Sequence, residues 1–338
     1  MIVRIAVAGV LAGVVLVGCG TTPAPPPDGV GYAATVPSVT LSALACEPLA
    51  WCVAAGANPS AATRAASVEV TAGGRGRWAP AATPALTGVT ISSAGCWASG
   101  CLLGGAGPSG SVVLIVNPAR KVAAVTASHP PGTGVAAMSC PGPGRCLALV
   151  TSTTSTAVFA TTDSGAAWQQ RGMLPAALAV ATGAACATPA ACVAVGTGPN
   201  GAAVARSVDG GVRWALGAIP RGLAAVTSVT CGSPRLCLAI ARRPNGTAVL
   251  LESTDGARAW AIVASPVTVP AGVTCAGVPT CVVGGSGVHG GAIATSVRTA
   301  RPHLLTLAYV PDPVIAVACA TPVKCAAITP ASTVSFEG

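Results

Sequence analysis

The chain has 338 residues, is 52% hydrophobic but only 3% aromatic and 8% charged, and carries a formal charge of +9. Its apolar share is mostly Ala and Val, and beyond the N-terminus no apolar run reaches the roughly 18 residues of a spanning helix, which excludes a membrane bundle. Forty-two Gly and 29 Pro stop just short of a low-complexity composition, and the basic excess suits anionic surfaces such as headgroups or cell-wall polymers.

In chain order, residues 1–19 come first, as MIVRIAVAGVLAGVVLVGC. Arg4 supplies a positive start, and residues 5–17 form an apolar run too short to span a bilayer comfortably. Leu16-Val17-Gly18-Cys19 resembles the lipobox of bacterial lipoprotein signal peptides. That resemblance implies a diacylated Cys19 as the mature N-terminus. It also implies a membrane partner held through that lipid and a location on the extracytoplasmic face of the cell membrane. Residues 20–29 (GTTPAPPPDG) have nothing to build a core with, and their prolines favour an extended spacer.

Setting Cys19 aside, the cysteines fall in close pairs: Cys46 and Cys52, Cys96 and Cys101, Cys140 and Cys146, Cys186 and Cys192, Cys231 and Cys237, Cys275 and Cys281, Cys319 and Cys325. An exported chain permits disulfides, and the regular spacing argues for pairing within each couple. Structural zinc wants Cys two to four apart with four ligands converging, which these pairs do not offer. A disulfide closing so short a loop contributes roughly 2 kcal/mol on chain entropy. That matters where Ala-rich strands bury little area each.

The first Cys of each pair recurs after 50, 44, 46, 45, 44 and 44 residues. A fixed period of that size marks a repeat architecture. One unit reads SVTC, GSPRL, CLAIARRPNG, TAVLLEST, DGARAW, AIVASP, which is four short β-rich segments separated by turn residues. Four strands per unit is the β-propeller blade. The expected fold is all-β, a seven-bladed propeller over residues 30–338 with one C-x(4-5)-C disulfide hairpin per blade. A solenoid would need polar caps that the sequence lacks. The last unit stops after three strands, so residues 30–36 (VGYAATV) are expected to close blade seven as its fourth strand.

A second signature lies between segments three and four. Thr161-Thr162-Asp163-Ser164-Gly165-Ala166-Ala167-Trp168 and Ser207-Val208-Asp209-Gly210-Gly211-Val212-Arg213-Trp214 both fit [S/T]-x-D-x-G-x-x-W. Ser253-Thr254-Asp255-Gly256-Ala257-Arg258-Ala259-Trp260 departs only at Ala257, and residues 73–78 look like a decayed copy. The chemistry suits a turn: Asp accepts backbone N–H groups, Gly supplies positive φ, and Trp plugs the blade edge. This motif resembles the Asp-box, or BNR repeat, of sialidase-like propellers and of propellers like the photosystem II stability and assembly factors. Asp163, Gly165, Trp168, Asp209, Gly211, Trp214, Asp255 and Trp260 are then structural residues.

Because BNR repeats also occur in glycosidases, catalysis has to be weighed. A glycosidase needs two convergent carboxylates, and of nine acidic residues Asp163, Asp209 and Asp255 sit in turn motifs. Asp28 lies in the spacer, Glu47 in a Cys hairpin, and Glu69, Glu252, Asp312 and Glu337 are scattered among units. Tyr32 and Tyr309 carry no sialidase-like surroundings. His129, His289 and His303 have no ligand spacing, and no nucleophile elbow is present. The expectation is therefore no catalytic residue, no metal, no cofactor and no nucleic acid. The expected function is a monomeric envelope lipoprotein presenting a rigid propeller to a protein or cell-envelope polymer. The alternative is a carbohydrate-active hydrolase with a degenerate site. Arg64, Arg221, Arg242 and Arg243 are expected on one propeller face. Arg75, Arg77, Arg145, Arg213, Arg235, Arg258 and Lys324 are expected on the other, beside the Cys hairpins, where they could meet an anionic envelope.

Overall fold

The computed structural model describes residues 30–31, 40–47, 51–57, 66–72, 78–84, 86–119, 121–126, 128–275, 280–288, 290–297, 303–310, 312–321, 324–330 and 333–337. Cys19, the leader and the spacer lie outside them. Among the described residues the regular elements are all β-strands, and they fall into seven four-stranded antiparallel sheets.

Six of these sheets are blades built from four strands consecutive in the chain, spanning residues 40–80, 90–125, 134–173, 180–216, 225–263 and 269–310 (blades I to VI). Blade V shows the plan. Ala225–Cys231, Cys237–Arg242, Ala248–Ser253 and Ala261–Val263 pair in order, each antiparallel to the last. The second strand is buried from Cys237 to Ala241, because neighbouring blades cover both its faces. This explains why it is a continuous apolar run and not an alternating one. The outer strands of blades I, IV and V are only two or three residues long. Short outer strands offer little edge for pairing with another chain.

The seventh sheet is of another kind. Its order is Ala316–Thr321, Lys324–Ile328 and Thr333–Glu337, completed by the N-terminal pair Val30–Gly31. Val30 pairs with Phe336 and Gly31 with Ser335. The expectation of seven blades, the seventh closed by the N-terminal strand, is thereby corrected: the structure has six complete blades and one composite sheet. The reason is that a cysteine pair marks only the first hairpin of a unit. Counting pairs therefore counts hairpins, and the fourth strand of the last sheet is Val30–Gly31. Of the expected closing segment 30–36, residues 32–36 lie outside the described residues.

Burial follows the sheets. Apolar clusters sit at the junctions between neighbours, such as Val193, Val195 and Val204 of blade IV against Val226, Ala239 and Leu251 of blade V. The junction of the composite sheet with blade I is filled by Ala326 and Ile328 against Leu41, Ala54 and Trp78. Each disulfide closes the end of a first hairpin; six bridge directly opposed residues, as Cys186 opposes Cys192, and Cys140–Cys146 spans a register shift. The same local pairing holds for Cys46–Cys52, Cys96–Cys101, Cys140–Cys146, Cys231–Cys237, Cys275–Cys281 and Cys319–Cys325.

The innermost strands carry a feature that the cysteine period does not announce. In blades I to VI the register slips at the residue four before the first Cys: Ser42, Ser92, Ala136, Thr182, Thr227 and Ala271. A bulge there re-aims the side chain. Where that residue bears a hydroxyl, three of the four donate it to the next blade. Ser42 Oγ bonds Ile91 O at 2.5 Å, Ser92 Oγ bonds Val135 O at 2.6 Å and Thr182 Oγ1 bonds Val226 O at 2.6 Å. The two junctions skipped by that series are tied at the other end of the strand. There the Cys186 N–H donates to Ser139 Oγ at 2.9 Å and the Cys275 N–H to Thr230 Oγ1 at 3.1 Å. Every junction from blade I to blade VI thus holds one hydroxyl latch. Among the described residues, none of this kind crosses either junction of the composite sheet.

Candidate functional site

The motif turns define one face of the ring. In blade IV, Ser207 Oγ donates to Asp209 Oδ1 at 2.8 Å, and the same carboxylate oxygen accepts the Val212 and Arg213 N–H groups at 3.1 and 3.0 Å. Ser207 Oγ in turn accepts the Gly211 N–H at 2.9 Å. Thr161 and Asp163 repeat the pattern with Gly165 and Ala167, and Ser253 and Asp255 with Ala257, Arg258 and Ala259. These bonds favour the charged carboxylates. Asp163 is held below the usual range first by the Thr161 hydroxyl, Asp209 first by the Arg213 N–H, and Asp255 first by the Ala259 N–H.

The turn needs two successive left-handed residues: Ser164 and Gly165, Gly210 and Gly211, Gly256 and Ala257. Ala257 thus holds the same backbone conformation as the glycines it replaces, with φ of 61°. The Trp residues differ in their hydrogen bonding: Trp214 Nε1 donates to Gly211 O at 3.1 Å, whereas Trp168 and Trp260 Nε1 are buried without a partner.

Two grooves open on this face, which also carries the disulfide hairpins. The first, about 280 Å³, runs between blades III and IV and is lined by Arg145, Arg171, Asp163, Pro189 and Gly210 among others. The second, about 290 Å³, runs between blades IV and V, lined by Arg206, Arg235, Arg258, Val208, Pro234 and Asp255. Arg206 Nε is shut off from solvent and has no hydrogen-bond partner. Of the cations expected on this stapled face, Arg145, Arg235 and Arg258 line the grooves, and Arg213 sits exposed in the blade IV turn. Arg75 and Arg77 lie outside the described residues, as does Arg64 of the opposite group. Arg171 and Arg206 were not singled out from the sequence. Both lie on strands, where the turn pattern gives no hint of them.

The ring axis is a channel of about 500 Å³, lined by the first strand of every sheet. Its described lining has no charged or titratable side chain. It consists of small residues and hydroxyls, including Ser42, Ser92, Ser93, Ser139, Thr182, Thr227, Thr230 and Thr274. At the mouth away from the disulfides, Val180, Val269 and Ile315 are exposed.

Carboxylates do not converge in the channel. Glu252 and Asp255 do share a shallow depression beside Trp260 on the outside of blade V. A glycosidase acid needs a raised carboxyl, whereas Asp255 is lowered by its turn. Glu69 is the carboxyl that burial pushes up, partly offset by a bond from Ser67, and it stands in the third strand of blade I. Glu47 is buried in the first hairpin, its Oε1 taking the Trp51 N–H at 3.2 Å while Oε2 has no partner. His129 Nδ1 lies 3.3 Å from Ser111 Oγ. Among the described residues no group of three His, Cys, Asp or Glu could hold a metal.

The sequence matches no protein-family model and no curated protein. Solved structures do resemble it. YCF48 bound to a D1 peptide shares 14% identity with a TM-score of 0.64, over 90% of this chain and 94% of that one. YCF48 from Cyanidioschyzon merolae gives 13% and 0.63, over 91% and 99%. Chaetomium thermophilum Sqt1 bound to the N-terminus of ribosomal protein L10 gives 12% and 0.57, over 92% and 100%. At such identities the likeness shows the fold, a β-propeller of four-stranded blades.

Proposed function

We propose that this chain is an exported, lipid-anchored envelope protein whose propeller is a rigid, non-catalytic scaffold for a protein partner. The observation that carries the reading is the likeness to propellers solved with a peptide or a protein N-terminus bound. Fold alone does not assign a ligand, so the chain's own surfaces supply the rest. The mouth of the channel away from the disulfides offers exposed Val180, Val269 and Ile315 above a wall of hydroxyls. That combination suits an extended, uncharged peptide segment, with apolar contacts at the rim and hydrogen bonds below. The leader motif ending at Cys19 supports export and anchoring.

The test is crosslinking of the tagged, lipidated protein in its native envelope, followed by mass spectrometry. One dominant protein, lost when Val180 and Val269 are replaced by Asp, supports the scaffold. Capture of glycan alone overturns it. Cys19→Ser is expected to move the protein from membranes washed at high salt to the soluble fraction, and retention of that variant through the wash would refute the anchor.

A further inference from the structure

Strand direction fixes where the termini leave the ring. Each first strand runs toward its disulfide hairpin, so in an antiparallel sheet the third strand ends at that same face and the fourth begins there. Thr333–Glu337 is the third strand of the composite sheet and Val30–Gly31 its fourth. Residue 30, and with it the spacer leading back to Cys19, therefore departs from the stapled face. The ten residues 20–29 reach about 30 Å when extended.

That same face carries both arginine grooves. It also exposes apolar side chains beside them: Val208, which lines the second groove, is 70% exposed, and Val212 is 44% exposed. Guanidiniums flanking a protruding aliphatic group are the composition of a surface that meets a bilayer interface. A soluble acidic partner would need the charges but not the valines. Each groove gathers two or three arginines, whose guanidinium N–H groups match phosphate oxygens, beside one turn carboxylate, Asp163 or Asp255.

We propose that the stapled face docks on anionic phospholipid headgroups, with phosphates in the grooves of Arg145 and Arg171 and of Arg206, Arg235 and Arg258, and with Val208 in the interface. The occupant is the membrane to which the spacer leads, so the inference rests on the anchored reading above. Docked this way, the propeller holds its opposite face outward.

The test uses the mature chain secreted without its acyl groups, so that the surface is read apart from the anchor. It is expected to sediment with phosphatidylcholine vesicles doped with phosphatidylglycerol and not with pure phosphatidylcholine. Each guanidinium at such a surface adds about fivefold to binding. Replacing Arg206, Arg235 and Arg258 by Gln should then weaken it about a hundredfold, while Arg242→Gln with Arg243→Gln on the other face changes nothing. Because Arg206 is half-buried, the exposed pair Arg145→Gln and Arg171→Gln provides a second, independent loss. Val208→Ser should weaken vesicle binding but leave binding of soluble polyphosphate unchanged. Failure to sediment with the charged vesicles overturns the proposal, as does equal sensitivity to the Arg242 and Arg243 changes or tighter binding of polyglutamate than of vesicles. If Cys19→Ser stays in the membrane through a high-salt wash that releases headgroup-bound protein while the vesicle results hold, the anchored reading fails and the docking surface stands.

Discussion

Gly211 is the residue whose replacement most directly tests the turn geometry. Its φ is +88°, and a Cβ built there would lie 2.9 Å from both Leu147 Cδ1 and Val158 Cγ1 of the preceding blade. An alanine in the left-handed region costs about 1–2 kcal/mol. Forcing two side chains apart in a packed junction adds about 1–3 kcal/mol. The smaller unfolded-state entropy of Ala returns about 0.5–1 kcal/mol. The net loss for Gly211→Ala is then about 2–3 kcal/mol, which for a domain of this size lowers Tm by about 5 °C. Scanning calorimetry on the oxidised protein would measure it. The matched control is Ala257→Gly in the next blade, where the native Ala already sits at φ of 61° and is fully buried. Tm should move little. A Gly211→Ala protein melting with the wild type would refute the reasoning, because neither the left-handed constraint nor the tight junction could then be real.

The latches predict a gain as well as losses. Thr182→Val should lower stability by about 1 kcal/mol by removing the bond to Val226 O, whereas Ala136→Ser, at the bulge position that lacks a hydroxyl, should raise it by about 0.5–1 kcal/mol; chemical denaturation of the two variants reads both. Turn carboxylates with lowered folded pKa values stabilise above the ordinary carboxylate range and lose that contribution as pH falls through the folded values. Tm should therefore fall below about pH 4, and less so in Asp209→Asn. Glu69 has the opposite sign, since its raised folded pKa makes ionisation unfavourable, so Glu69→Gln should stabilise more at pH 7 than at pH 4. Replacing Cys140 and Cys146 together by Ala should cost roughly 2 kcal/mol, and peptide mapping without reduction should return no crosslink between different hairpins.

Much of the architecture was written in the chain as period and punctuation. Cysteines at a spacing near 44 and the Asp turns fixed strand count per unit, hairpin position and which turns share a face. Other features left no such mark. The six-plus-one division is one of them: seven cysteine pairs announce seven hairpins, and each reads as a blade although the last is already expected to borrow its fourth strand. The latches hang on Ser42, Ser92, Ser139, Thr182 and Thr230, whose spacing from the next Cys is periodic. Yet Ser and Thr are also ordinary strand residues, so the pattern has meaning only once the bulge turns Ser42, Ser92 and Thr182 toward the next blade and Ser139 and Thr230 are seen to accept its Cys N–H. Arg171 and Arg206 stand on strands, where no turn pattern marks them, and only the groove between blades shows what they line. Ala257 is the one departure of its copy from the motif, and it keeps the glycine's backbone conformation.

The distribution of latches also makes the ring a mechanical object with a seam. Five junctions in succession are tied by hydroxyls, and the composite sheet is completed by a strand of two residues that is continuous with the spacer. If Cys19 carries the proposed lipid, tension on that tether would reach the fold at this strand. It would peel Val30 and Gly31 from Ser335 and Phe336 before any blade is loaded. The closure would act as a fuse: under force the ring opens at one known place, and the six blades, each carrying its own disulfide, stay folded to close it again.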